Sequence, residues 1–408
     1  MTNYYLAANG DDSNAGAKDA PWATIGHVNS AALVAGDGVY FNRGDLWRQD
    51  VGLTVPVSGL SYGAWGAGAR PALNVARIVT GWQLVAGDVY AAPWITDSNR
   101  IVTYTNESGT VHLHGNDGAK ENVALNEWDF DLNSATMYIN VGGDPSDGVV
   151  EVARTGACIQ GDGVDDVTVK DISLSHSNLA GLYIKNASRW TVENVASSWS
   201  YFGSYLEGFV RDSTLSSCDI RRNTNDGIYL VNNSKNNVID GCTVEHNGLG
   251  LQGDRDGIGI GGNPAENAGN VIKDCIIRHN HSLAVAIWRS GYCTVEDCII
   301  ESDAPASAAI GASRSNNVTV KDNVIRAAWT GIGYNHGDYM FPTVTGNVIR
   351  GAAKAGVFLD ATNMLVDGQV NDNVAIDCDV GFYMHHGLST GLHMNGNRAI
   401  GCREDMRT

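Results

Sequence analysis

A column of side chains returns about every 24 residues along most of this chain. It comprises Ile172, Val195, Cys218, Cys242, Cys275, Cys298, Asn323, Asn347, Asn373 and Asn397, at spacings of 23 to 26 residues apart from one interval of 33. Each member sits in a short phrase such as VIDGCTV, TVEDCII or TVTGNVI, rich in β-branched residues and without helical periodicity. A repeat this short cannot bury a face alone. Stacked repeats can, because each turn of chain hydrogen-bonds to the next at the usual strand spacing of about 4.8 Å. Equivalent residues then stand above one another, so buried thiols stack as small hydrophobes and Asn amides form a hydrogen-bonded ladder at the bends. The pattern predicts an all-β chain, a parallel β-helix of about ten rungs.

A second column follows about 12 residues after the first, at Ile184, Leu230, Ile260, Ile287, Ile310 and Leu359, mostly preceded by glycine and an apolar residue. The 49 glycines against 8 prolines suit many tight bends between short strands. A net charge of −18 opposes nucleic acid and anionic membranes as partners. It also disfavours a strongly anionic polysaccharide unless a local basic patch or a metal intervenes. Four of the 8 cysteines occupy the first column, and Cys378 and Cys402 are themselves 24 apart, so reduced core thiols are expected rather than disulfides. No apolar run approaches a membrane span, and no signal-peptide pattern is visible before Tyr4. An extracellular or secreted location is nevertheless the expectation for the chemistry argued below.

Three regions follow from the rhythm. Residues 1–75 read as an N-terminal cap with the first rungs, including a short capping helix in PWATIGHVNSAALV. Residues 76–155 break the repeat and read as a small antiparallel β excursion containing Trp82, Trp94 and Trp128, and residues 156–408 form the regular β-helix with the groove. The sequence YYLAANGDDSNAGAKDAPWATI, then YFNRGDLWR, then EWDFD with MYINVGGDP, and then the stacked rungs resemble the pectate-lyase-like superfamily of right-handed parallel β-helix proteins. That superfamily contains polysaccharide lyases, several glycoside hydrolase families and uronate epimerases. The resemblance implies carbohydrate work and a right-handed coil, the latter in accord with the crossover rule for parallel strands.

Alternation about the second column places two outward residues per rung on one sheet. In order these include Tyr183/Lys185, Tyr205/Glu207, Tyr229/Val231, Gly259/Gly261, Ala286/Trp288, Ala309/Gly311 and Gly333/Asn335. The pattern is a groove floor: aromatics flank a bare glycine patch, and sugar rings stack on aromatic faces while glycines admit a chain close to the backbone. Trp199 and Glu207 belong to one expected wall and His336 to the other, with Asn335, Arg289, Trp288, His281, Tyr229, Tyr205 and Lys185 as further substrate-binding candidates. Outward aromatics can also pack under loops.

The 33-residue interval inserts HNGLGLQGDRDG, which brings Asp254, Arg255 and Asp256 to the edge of the glycine patch. Asp226 in TNDGIYL holds the register of Asp256 in DRDGIGI one rung earlier. Successive rungs lie about 5 Å apart, so these carboxylates should gather, and two that close cannot ionise independently. One protonated and one ionised carboxyl is what glycosidic hydrolysis requires. Asp-Gly before a strand is also ordinary turn chemistry, and stacked Asp residues can bind calcium. The expected activity is a glycoside hydrolase on a polysaccharide or oligosaccharide, with Asp226, Asp254 and Asp256 catalytic and no cofactor required, calcium being the only candidate. The alternatives are a β-eliminating lyase or uronate epimerase, and a non-catalytic glycan-binding, tailspike-like module.

Overall fold

The computed structural model describes residues 1–94, 101–115, 122–154, 156–250, 255–262, 267–335, 339–360, 365–385 and 391–408. Among these residues the coils build three parallel sheets around one core, with fourteen strands in the first sheet and twelve in each of the other two. The expectation of about ten rungs was short. The early turns through Gly38–Asn42, Leu46–Arg48 and Ser61–Trp65 belong to the same sheets but carry no member of the repeating column.

One coil shows the construction. Val238–Asp240 lies in the first sheet, Thr243–Glu245 in the second and Ile258–Gly261 in the third, before Val271–Lys273 opens the next turn. Alternation sends Ile239, Val244, Ile258 and Ile260 inward, and each is at most 1% exposed. Burying such a side chain contributes about 1.5–3 kcal/mol, repeated on every coil. The first bend, between the first and second sheets, turns on one residue in the left-handed region. Asp171, Asn194, Ser217, Gly241, Asp274, Asp297, Asp322, Gly346, Asp372 and Gly396 hold this place at φ of 52° to 70°. Nine of the ten are Asp, Asn or Gly, the types that tolerate this conformation best.

Immediately after that residue comes the sequence column. Cys218, Cys242, Cys275 and Cys298 are buried free thiols. Beyond them the amides form a continuous ladder: Asn323 Nδ2 donates to Asn347 Oδ1 at 2.9 Å, Asn347 to Asn373 at 2.9 Å and Asn373 to Asn397 at 3.1 Å. Away from the column, burial pushes the Cys158 thiol up to about 12, as expected of an inert core cysteine.

At the N-terminal end, Asn3–Leu6 pairs with Gly38–Asn42, which pairs with Ser61–Trp65. The helix Ile25–Ser30, capped by Thr24 whose hydroxyl accepts the His27 N–H at 3.0 Å, sets Ile25 and Val28 over the core. The excursion is an eight-stranded sheet between Ala76–Val79 and Val149–Ala153, mostly antiparallel, with its own core around Val102, Leu113, Met137 and Ile139. A buried polar knot ties it to the solenoid. Glu151 accepts from Arg48 Nε and Asn74 Nδ2, both at 2.9 Å, while His176 Nε2 is 3.0 Å from the Thr103 hydroxyl and 3.6 Å from Glu151. Burial holds the His176 imidazole below its ordinary pKa, the Glu151 charge opposing this and Arg48 reinforcing it.

In the third sheet the inward column is Ile184, Leu206, Leu230, Ile260, Ile287, Ala312, Tyr334, Leu359 and Met384. Ile310, expected in this column, pairs instead with Val285. The outward pair on that coil is therefore Gly311/Ser313, and Ala309 is buried. A slip of two residues preserves the alternation of faces, so hydrophobic pattern alone could not detect it.

Candidate active site

The outer face of the third sheet floors a groove of about 670 Å³ that runs from Phe202 to Phe358. It crosses seven coils, roughly 29 Å at the strand spacing. Five of the expected residues line it: Asp226, Asp256, Tyr229, Trp288 and Asn335.

Asp226 and Asp256 each stand two residues before a strand of the floor, on consecutive coils. Asp226 Oδ1 accepts the Asp256 N–H at 2.7 Å, and Asp256 Oδ1 accepts the Leu283 N–H at 3.0 Å. The same bond is thus repeated one turn on, so the two carboxylates are related by one coil step of about 4.8 Å. They are only 6% and 8% exposed, and what each exposes faces the groove. Leu283 takes their register on the next coil, and Phe202 takes it on the one before.

A second amide ladder, at the bend between the second and third sheets, holds these loops. Asn223 Nδ2 donates to Asn247 Oδ1 at 2.9 Å, and Asn247 Nδ2 to Asn280 Oδ1 at 3.0 Å. The phrases RRN, EHN and RHN signal it in the sequence, one coil apart. Gly257 follows Asp256 because a Cβ there would lie 2.6 Å from Asn280 Nδ2 and 2.6 Å from the Ala284 carbonyl oxygen. The Asp-Gly pairs are therefore bend chemistry and groove chemistry at once: the glycine meets the ladder inside, the carboxylate faces out.

The glycine patch is less bare than its sequence suggests. A Cβ at Gly259 would lie 2.9 Å from Tyr229 Cδ2 and 3.0 Å from Asp226 Oδ2, and one at Gly261 would lie 3.4 Å from the Tyr229 hydroxyl. The glycines make room for the Tyr229 ring and the Asp226 carboxylate. Burial raises the Tyr229 pKa, and the charges of Asp226 and Asp256 raise it further, so the phenol remains a hydrogen-bond donor.

The other expected residues lie outside the groove lining. Tyr205 stacks on Phe202 at 4.6 Å and on Tyr229 at 5.8 Å between ring centroids, so neighbouring rings rather than a sugar occupy those faces. Glu207 accepts the Tyr183 hydroxyl, and Lys185 lies 4.0 Å from Asp162. Trp199 occupies a left-handed bend position (φ 53°) with the Arg222 guanidinium 5.7 Å from its ring. His281 sits on the bend beside Gly248. Arg289 lies against one face of Trp288, 4.5 Å from the ring centroid, and Arg255 Nη1 donates to the Thr224 carbonyl at 2.6 Å. Asp254 and His336 lie outside the described residues, and among the described residues no three potential metal ligands converge.

Sequence reasoning missed Lys354, Trp329, Ser313 and Thr330, which line the far part of the groove. Lys354 sits at the bend just before its floor strand Ala355–Asp360, a position outside the outward pairs of the strand alternation.

The chain belongs to the right-handed β-helix family, whose model matches residues 149–264 and 266–405. No curated protein sequence matches it. Among solved structures, it is similar to a glycoside hydrolase at 12% identity and TM-score 0.55, covering 100% of this chain and 97% of that one. XylC in complex with xylose matches at 14% identity and TM-score 0.50, over 94% of this chain and 69% of that one. An alginate lyase from Paenibacillus sp. str. FPU-7 matches at 10% identity and TM-score 0.47, over 100% and 99%. At such identities what the first two share with this chain is the fold.

Proposed function

We propose that the chain is a glycoside hydrolase acting on an extracellular polysaccharide or oligosaccharide, with Asp226 and Asp256 as the reacting pair. The observation that carries this reading is their repetition on consecutive coils, both facing one long groove. Two carboxylates one coil apart share their charge, so the pair retains a proton more readily than either alone. One carboxyl protonates the glycosidic oxygen as the bond breaks, and its partner serves the anomeric carbon as base or nucleophile. Tyr229 donates to the substrate beside them, and the exposed face of Trp288 takes a sugar ring. The sharing of this fold with a glycoside hydrolase and with XylC bound to xylose agrees with this reading.

Elimination fits less well. It needs a cation to neutralise a uronate beside the base, yet neither Arg255 nor Arg289 is among the described residues that line the groove beside Asp226 and Asp256. The side chains present suffice for hydrolysis, so a chelator should leave the activity unchanged. A polysaccharide panel followed by reducing-end release and ultraviolet absorbance tests the assignment. Hydrolysis raises the first alone, whereas a rise in absorbance marks elimination and refutes it. Binding without either signal marks the glycan-binding module instead.

A further inference from the structure

We infer that the far end of the groove is an anion subsite, in which Lys354 receives a negatively charged substituent of a sugar while the bond cleaved lies at Asp226 and Asp256. The inference rests on the groove being the glycan site, as proposed above. Lys354 is the one cationic side chain among the described residues lining the groove of a chain with net charge −18. Three other lysines have close carboxylate partners, Lys170 with Glu193 at 2.6 Å, Lys273 with Asp240 at 2.9 Å and Lys321 with Glu296 at 2.7 Å, whereas Lys18, away from the groove, lies over Trp65. Lys354 has none within ion-pair distance among the described residues. Its ammonium instead rests over the Phe358 ring, 3.5 Å from the centroid. Asp360, whose charge acts on Lys354, lies 3.1 Å from His385 Nδ1.

Burial lowers the pKa of Lys354, and the Asp360 charge only partly restores it. A partly buried ammonium with no ion-pair partner at contact distance among the described residues is a site for an arriving anion. One coil earlier, Asn335 also lines the groove, and its buried side-chain oxygen has no hydrogen-bond partner among the described residues. Trp329, 37% exposed, and Thr330 complete the surroundings.

The two ends lie four coil steps apart, through Ile258, Val285, Ile310, Ile332 and Val357, or about 19 Å. The charged sugar is therefore several units from the reacting bond. This separates charge recognition from chemistry, and it explains how an acidic protein accepts an acidic glycan: the anion avoids the carboxylates. A uronate carboxylate and a sulfate ester both supply the required oxygen anion.

The test is affinity electrophoresis of the Asp256→Asn chain in gels containing polygalacturonate, carboxyl-reduced polygalacturonate, dextran sulfate or dextran. At least one anionic polymer should bind on the order of tenfold more tightly than its neutral counterpart. Lys354→Met should abolish that difference, and Lys354→Arg should restore most of it. Retardation by polygalacturonate alone assigns a carboxylate, and by dextran sulfate alone a sulfate. Equal binding to charged and neutral polymers, a Lys354→Met chain like its parent, or no retardation in any gel overturns the inference. Because the readout is binding, Lys354-dependent retention without any reducing-end release would leave this subsite standing and remove only the hydrolase reading.

Discussion

The two bends that flank the second sheet are built alike and used differently. Each turns on a left-handed residue and carries a buried amide ladder, Asn323–Asn347–Asn373 at one and Asn223–Asn247–Asn280 at the other. At the first bend the next strand begins at once, as Thr243 follows Cys242. At the second, the chain takes 5 residues from Asn223 to Ile228 but 11 from Asn247 to Ile258. The first bend therefore has no freedom to vary, whereas the second can lengthen without disturbing the stack, because its ladder is already closed beneath it. Both groove carboxylates and Lys354 sit on that second, permissive side.

The largest effect should come from changing groove chemistry while sparing the bend. Asp256→Asn keeps an oxygen acceptor for the Leu283 N–H but loses the acid or base. The catalytic rate should fall on the order of 10³-fold, with the thermal midpoint nearly unchanged. Reducing-end assays and a melting curve check both halves. A variant that melts much earlier would show that Asp256 belongs to the bend rather than to the chemistry.

A matched pair of ladder variants probes the comparison directly. Asn347 accepts from Asn323 and donates to Val320, Thr345 and Asn373, and Asn247 makes the corresponding bonds to Asn223, Ile220 and Asn280. Either change to alanine strands buried donors and acceptors, at a cost of about 3 kcal/mol. Denaturant unfolding should report similar losses for both. Only Asn247→Ala should also depress activity in the chains that remain folded, since it loosens the loops of Asp226 and Asp256. Equal activity losses would mean that the bends are not functionally distinct.

The same contrast governs what could be read from the sequence. The first bend was legible residue by residue, because its fixed length keeps Cys and Asn in phase over eight successive members. Asp226 and Asp256 were legible as partners because both precede Gly-Ile in the same register. The loop after Cys298 hid the two-residue slip at Ile310, since both faces stay in phase. Ring orientation was hidden too: Tyr205 and Tyr229 were expected to offer their faces to sugars, but stacking on successive coils turns those faces along the coil axis. Lys354 escaped because its role depends on the lack of a carboxylate partner, which only packing reveals.

The smallest effect concerns the start of the second bend. His176 occupies there the left-handed place held by Trp199, Arg222, His246 and His279 on later coils, with φ of 53° to 61° across the five. Instead of flanking the groove, it is plugged into the excursion through Thr103 and Glu151. Its folded pKa lies below the ordinary 6.5, so the unfolded chain takes up the proton first. The stability it contributes is complete above about pH 6.5 and declines as pH falls toward the depressed folded value. That slope is at most about 1.4 kcal/mol per pH unit. His176→Gln should be less stable than the parent near neutrality and should lose stability more slowly between about pH 6.5 and 5. His246, lowered mainly by its own burial, keeps a residual slope in the variant, so the difference between the two chains isolates His176. Parallel pH profiles would show that the excursion is seated without help from this imidazole, and that the bend column is uniform from its first coil.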